Sequence, residues 1–223
     1  GNSGNDTLAI AGTLIDLTST TLSSVDAVKA TLTSATTFIV DQNDLAYGGS
    51  LFGNSGSDNL TIVGTSFDLS ATTTSNVETL KAGSSNDTTF KLDQADLANG
   101  GTVNGSSGTD TLVANGTTLD LRSTTLNSVE VLQAGIAGAV TFTVDQADLA
   151  VGGSVVGGSG ADTLVAAGTL LDLTSTTLSS VEILKAGSAA ATTFIVDQAD
   201  LASGGSVLTG GAAADTLIIN GTL

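Results

Sequence analysis

Five residue types never occur in this chain of 223: cysteine, proline, histidine, methionine and tryptophan. Without cysteine there is no disulfide scaffold and no cysteine-ligated zinc. Without proline, nothing in the sequence interrupts a stacked strand ladder. Aromatic residues are only 3% of the chain, so a core built from Val, Leu, Ile and Ala has to be thin and regular. Bases are scarce too, at 5 against 22 acids, for a formal net charge of −17. Phosphate contacts need Lys and Arg, which excludes nucleic acid as a partner and disfavours an anionic membrane surface. No apolar run reaches membrane-spanning length, so membrane insertion is not expected.

What the chain does have is glycine, 28 residues of it, with 40% apolar residues and a mean hydropathy of +0.34. That excludes a disordered acidic tail. It also has a strict repeat. Asp6, Asp58, Asp110 and Asp162 recur at a spacing of 52 in the numbering, and Asp215 follows at 53. The segment VDQNDLAYGGS at 40–50 returns at 92–102, 144–154 and 196–206. Val25, Leu51, Val77, Val103, Val129, Val155, Val181 and Val207 recur at a constant spacing of 26, each after a Ser, Thr or Asn such as Ser180 or Ser206. This shorter spacing divides each long repeat into two equal coils.

A short period rich in β-branched residues and glycine predicts an all-β fold, a parallel β-solenoid. With one coil per spacing of 26, residues 1–223 make about 8.6 coils in one continuous column. Stacked at about 4.8 Å, they give a rod roughly 41 Å long. Phe38, Phe90, Phe142 and Phe194 sit at the coil position that Gly12, Gly64, Gly116 and Gly168 hold in the alternate coils. This predicts an inward column alternating Phe with Gly; the other reading is that these glycines make turns. Leu60, Leu112 and Leu164, Leu69, Leu121 and Leu173, and Leu80, Leu132 and Leu184 are expected in the core.

The acids are as periodic as the core. Beyond the Asp6 column they run through Asp16, Asp26, Asp41 and Asp44 and their repeats, leaving only Asp87 outside. Most are read as solvated faces and Asp-turn caps. Lys29, Lys81 and Lys185 stand three positions after Asp26, Glu78 and Glu182, which predicts a surface acid–base stripe. The paired aspartates of DQADL come with no His and one Arg in the whole chain, so an enzyme is not expected.

The nonapeptides GNSGNDTLA (1–9), GNSGSDNLT (53–61), GSSGTDTLV (105–113) and GGSGADTLV (157–165), with a frayed GGAAADTLI (210–218), carry a resemblance. The pattern resembles the haemolysin-type calcium-binding repeat (RTX) of secreted bacterial toxins, proteases and adhesins. The resemblance implies calcium held by Asp6, Asp58, Asp110 and Asp162 with neighbouring turn carbonyls. In that family the nonapeptides run in tandem; here the copies stand two coils apart, about 9.6 Å. A shared site is therefore not expected, only single ions, and the same residues also read as an Asp-capped glycine turn with an inward Leu.

Uncapped strand edges at Gly1 and Leu223 point to a longer repetitive protein or to end-to-end stacking. The expected function is a structural, non-enzymatic bacterial protein of the cell surface or matrix: a filament, surface layer or adhesin stalk. Its expected partner is itself, end to end or laterally, with cell-surface polysaccharide as the other partner considered. Two alternatives stand beside it. One is a calcium-binding RTX-type module. The other is an ice-binding solenoid, for which Thr20 and Thr21, Thr72 and Thr73, Thr124 and Thr125, and Thr176 and Thr177 would line one face. On the intervening coils those pairs meet Tyr47 and Gly48, Asn99 and Gly100, and Val151 and Gly152.

Overall fold

The computed structural model describes residues 1–45, 48–202 and 207–221. Tyr47, Ser206 and Leu223, named above, lie outside the described residues. The fold is all-β: short parallel strands stack as a β-solenoid of about nine turns. Strands of three or four residues alternate inward and outward side chains, as in Thr89–Leu92, where Phe90 and Leu92 are buried. Gly, Ser and Asn bends separate them, and no helix longer than Gln198–Ala202 occurs among the described residues.

The lap is shorter than the expected spacing of 26 between marker residues such as Val25 and Leu51. One stack runs through Leu14–Asp16, Thr37–Val40, Asn59–Ile62, Thr79–Ala82, Thr102–Asn104 and Thr125–Asn127. Its register steps in sequence number are 23, 22, 20, 23 and 23, from Leu14 over Thr37, Asn59, Thr79 and Thr102 to Thr125. Two further steps pass through the 3-10 turns. Gln94–Asp96 packs against Thr73–Ser75, and Ser66–Asp68 packs against Gln42–Asp44. The five register steps from Leu14 to Thr125 average about 22 in sequence number per lap. The marker residues misled because they occupy unlike places. Leu51, Val103 and Val155 are strand centres, whereas Val77, Val129 and Val181 are buried at the corner before a strand. One consequence is that equivalent strands of successive repeats, Leu14–Asp16, Ser66–Asp68, Thr118–Asp120 and Leu170–Asp172, lie in four different sheets.

The chain forms two compact units. The first comprises 1–110 with 124–128. It contains the stack just described, a four-stranded sheet of Thr7–Ile10, Ala27–Ala30, Ser50–Phe52 and Thr73–Ser75, and the pair Ser66–Asp68 with Thr89–Leu92. The second comprises 111–123 with 129–223. Its longest stack runs through Thr118–Asp120, Thr141–Val144, Thr163–Ala166, Ile183–Ala186 and Val207–Thr209. Beside it are the stack Thr111–Ala114, Val131–Ala134, Ser154–Val156 and Thr177–Ser179, and the stack Leu170–Asp172, Thr193–Val196 and Thr216–Ile219.

Each unit fills its centre with the predicted apolar columns, and Leu60, Leu112 and Leu164 are all 0% exposed. The four phenylalanines are buried, but not over glycine. Phe38 lies in register between Ile15 and Leu60, Phe142 between Leu119 and Leu164, and Phe90 against Phe67. Gly12, Gly64, Gly116 and Gly168 instead form bends between strands, and Gly64 has φ of +125°. The shorter lap is the reason: moving each partner a few positions along the chain replaces the bend glycine with a strand leucine. Phe142→Ala removes a ring packed on both sides and is expected to cost about 3–5 kcal/mol in chemical denaturation. A loss below about 1 kcal/mol would contradict the burial described here.

Candidate functional site

The nonapeptide aspartate is a junction of three laps. Asp162 Oδ2 accepts the N–H of Gly158 in its own turn at 2.7 Å, and Oδ1 accepts the N–H of Val140, one lap back, at 2.7 Å. Its own N–H donates to Glu182 Oε2, one lap forward, at 2.8 Å. Its carbonyl accepts the N–H groups of Glu182 and Ile183 at 3.1 and 3.0 Å. Asp58 repeats this with Asn54, Thr36 and Glu78 at 2.6, 2.6 and 2.8 Å. Asp110 accepts from Ser106 and Thr88 at 2.6 and 2.7 Å. All three aspartates are 0% exposed. Asp6 is half-buried; it accepts from Asn2 and donates its N–H to Asp26 Oδ2 at 2.7 Å. Asp215, also half-buried, accepts from Gly211 and Thr192.

The glycine that opens each nonapeptide serves the same junction. A Cβ on Gly53, Gly105 or Gly157 would lie 1.7–1.8 Å from the carbonyl oxygen of Asn76, Ser128 or Ser180 on the next lap. Those three residues hold φ near +50°, the left-handed conformation that turns their carbonyls inward. The signature is therefore a lap-to-lap contact that admits no side chain, beside a carboxylate that gathers main-chain donors.

These junctions do not fit a resident calcium ion. Calcium needs six to eight oxygens at 2.3–2.6 Å. At Asp58, Asp110 and Asp162 both carboxylate oxygens already accept main-chain N–H groups, and the residues are closed to solvent. An ion would have to enter a solvent-closed site in which N–H donors, not carbonyl oxygens, are gathered round the carboxylate. The expected result is that thermal melts in chelator and in millimolar calcium superimpose. A site filled at a hundred times its dissociation constant would add about 2.7 kcal/mol, which a melt detects.

The DQADL acids also close a turn. Asp145 caps the 3-10 turn Gln146–Asp148 by accepting from Ala147, and Asp148 returns a carboxylate to the N–H of Asp145 at 2.8 Å. The same reciprocal cap joins Asp41 to Asp44, Asp93 to Asp96 and Asp197 to Asp200. The second acid of each pair is buried at 3–5% exposure, so of the two expectations, solvated faces and Asp-turn caps, these columns meet the second. Burial pushes the carboxyls of Asp44 and Asp200 upward, Asp96 to about 6 and Asp148 to about 7. Asp96 accepts from the Thr74 hydroxyl at 3.0 Å, whereas the next repeat has leucine, Leu126, at the sequence position of Thr74.

Sequence reasoning missed two other roles. Gln146 mimics a strand: its amide donates to the Asp172 carbonyl at 3.1 Å and accepts the Asp172 N–H at 2.6 Å. Gln42 does the same with Asp68. The acid at a fixed offset of 20 after each nonapeptide aspartate, Asp26, Glu78 or Glu182, is the forward arm of the junction. That offset in the sequence was the signal. Lys29, Lys81 and Lys185 make no ion pair with these acids; the two ion pairs among the described residues are Lys91–Asp68 and Arg122–Asp120. Of the four threonine pairs only Thr20 and Thr21 are both exposed; Thr72 is half-buried, and Thr124 and Thr176 are 7% exposed while Thr125 and Thr177 face outward. Comparison of the chain with protein-family models, with curated proteins and with solved structures finds no match in any of the three.

Proposed function

We propose that this chain is a structural, non-enzymatic segment of a bacterial extracellular scaffold: a filament, surface layer, matrix or adhesin stalk that assembles by stacking laps. The observation that carries this reading is where the acids go. In a chain with 22 acids, the buried carboxylates of three nonapeptides and four DQADL caps are all bonded to main-chain N–H groups that hold one turn or join successive laps. Polar groups spent on joining lap to lap leave regular stacking as the property most heavily specified. The remaining surface acids keep such an assembly soluble.

Negative-stain electron microscopy with sedimentation across a concentration series tests the reading. Filaments, sheets or concentration-dependent growth are expected. A monodisperse monomer at every concentration up to about the millimolar range would overturn self-assembly.

A further inference from the structure

Six phenylalanines occur in the chain, and five of them (Phe38, Phe67, Phe90, Phe142 and Phe194) are buried at 0–1% exposure. Phe52 is the exception. It is the last residue of the strand Ser50–Phe52, whose Leu51 points into the core, so the Phe52 ring stands half-buried on the outer face. In register it lies between Lys29 on the preceding lap and Ser75 on the following one. Beside this file runs a second of small side chains, Thr7, Ala27 and Ser50. The step between a large ring and small neighbours makes a groove.

That groove is a cavity of about 330 Å³ lined by Thr7, Ala27, Lys29, Phe52, Gly53 and Asn76. Its size lies within the range of small-ligand sites, and so does its make-up, an apolar body with a few polar groups at the edge. The frame is rigid. Gly53 donates to the Ser75 carbonyl at 2.8 Å, and the Asn76 carbonyl packs against Gly53 too closely to admit a side chain there. The next two repeats do not rebuild it: Phe52 is replaced by Asn104 and Val156, and Asn76 by Ser128 and Ser180.

We infer that this groove is a binding site for a pyranose ring of a neutral polysaccharide. A flat aromatic face suits the C–H face of a pyranose, and groups beside it reach the hydroxyls at the ring edge. Here those groups are the Lys29 ammonium, the Asn76 amide and the Thr7 hydroxyl. Lys29 makes none of the ion pairs found among the described residues, so its three donors are not committed to a carboxylate. Charge selects a neutral chain: at a net −17, the field of the protein repels an acidic polysaccharide. The site stands independently of any assembly by stacking.

Isothermal titration calorimetry with cellohexaose, maltohexaose, chitohexaose and an oligogalacturonate tests the assignment. Saturable binding of at least one neutral oligosaccharide is expected. Phe52→Ala should weaken it by about tenfold or more, and Phe52→Trp should retain it. Val156→Ala, at the matching outward place two repeats on, should leave it unchanged. Thermal melts of each variant separate loss of the site from loss of the fold, because an outward ring contributes little to the core. Absence of binding to all three neutral probes, equal binding by Phe52→Ala, or tighter binding of the oligogalacturonate would each overturn the proposal.

Discussion

Replacing Asp162 by alanine is expected to lower the unfolding free energy by about 2–6 kcal/mol, the largest loss predicted for a single polar side chain here. Two main-chain donors, the buried N–H of Val140 and the part-buried N–H of Gly158, lose their acceptors together. No water reaches a residue that is 0% exposed, and each orphaned donor costs about 1–3 kcal/mol. Asp162→Asn keeps one carbonyl oxygen, so one donor stays bonded and the loss is smaller. Asp215→Ala is the internal control, since Asp215 holds the same two kinds of donor while half-exposed. It should lose less. Urea unfolding gives the magnitudes, and hydrogen exchange at Val140 and Gly158 gives the location. A loss below about 1 kcal/mol for Asp162→Ala, with unchanged exchange at both amides, would show that the junction does not bind the laps.

Acidification from pH 8 to about pH 5 is expected to stabilise the fold, the reverse of ordinary acid denaturation. The raised carboxyls set the sign. Asp96 and Asp148 bind their protons at about 6 and about 7 in the folded chain, against an ordinary value of 3.8. Above pH 7 both are buried as anions, which penalises the fold. As pH falls through these values the folded state takes up protons that the unfolded state does not, and the penalty is relieved until the ordinary value is reached. Each tenfold change in proton affinity is about 1.4 kcal/mol, so the relief is on the order of 3 kcal/mol at each of the two sites. Asp44 and Asp200 move in the same direction. The acids facing Asp148 are Asp145 and Asp120, and Asp120 is itself paired with Arg122. Asp16 and Asp120 are held below the ordinary value by Thr18 and Arg122, so their contribution is lost only near and below pH 4. Stability should therefore rise through pH 5 and peak near pH 4. Asp148→Asn, which keeps an oxygen for the Asp145 N–H, should raise stability at pH 8 by roughly 2 kcal/mol and flatten the profile. Equal effects at pH 8 and pH 5 would show that this carboxyl does not titrate in the window.

The pairing of a carboxylate with main-chain donors explains why the nonapeptide looks like a metal-binding motif. Both uses require a glycine turn that brings polar main-chain groups toward one carboxylate. They differ in which end of the peptide dipole faces it. Here N–H groups face Asp58, Asp110 and Asp162, and a cation needs carbonyls there instead.

The sequence alone determined the long repeat, the strand class, and the burial of Phe38, Phe90, Phe142 and Phe194. Period and side-chain type are local properties, and any parallel stack buries the same alternate residues. It also marked the nonapeptide and DQADL aspartates as special, because only a fixed backbone geometry preserves such spacing. The tertiary structure decided the lap. A strand sits over whichever segment of the preceding turn completes its hydrogen-bond ladder, and that depends on how much chain each corner absorbs. A 3-10 turn takes a strand's place in the stack at Gln94–Asp96. Such differences make the step short from Leu60 to Leu80 and longer from Leu184 to Leu208. No local signal encodes that count. Only the stack shows that Leu51 is a strand centre and Val77 a corner, that phenylalanine packs on leucine, and that Glu182 belongs with Asp162.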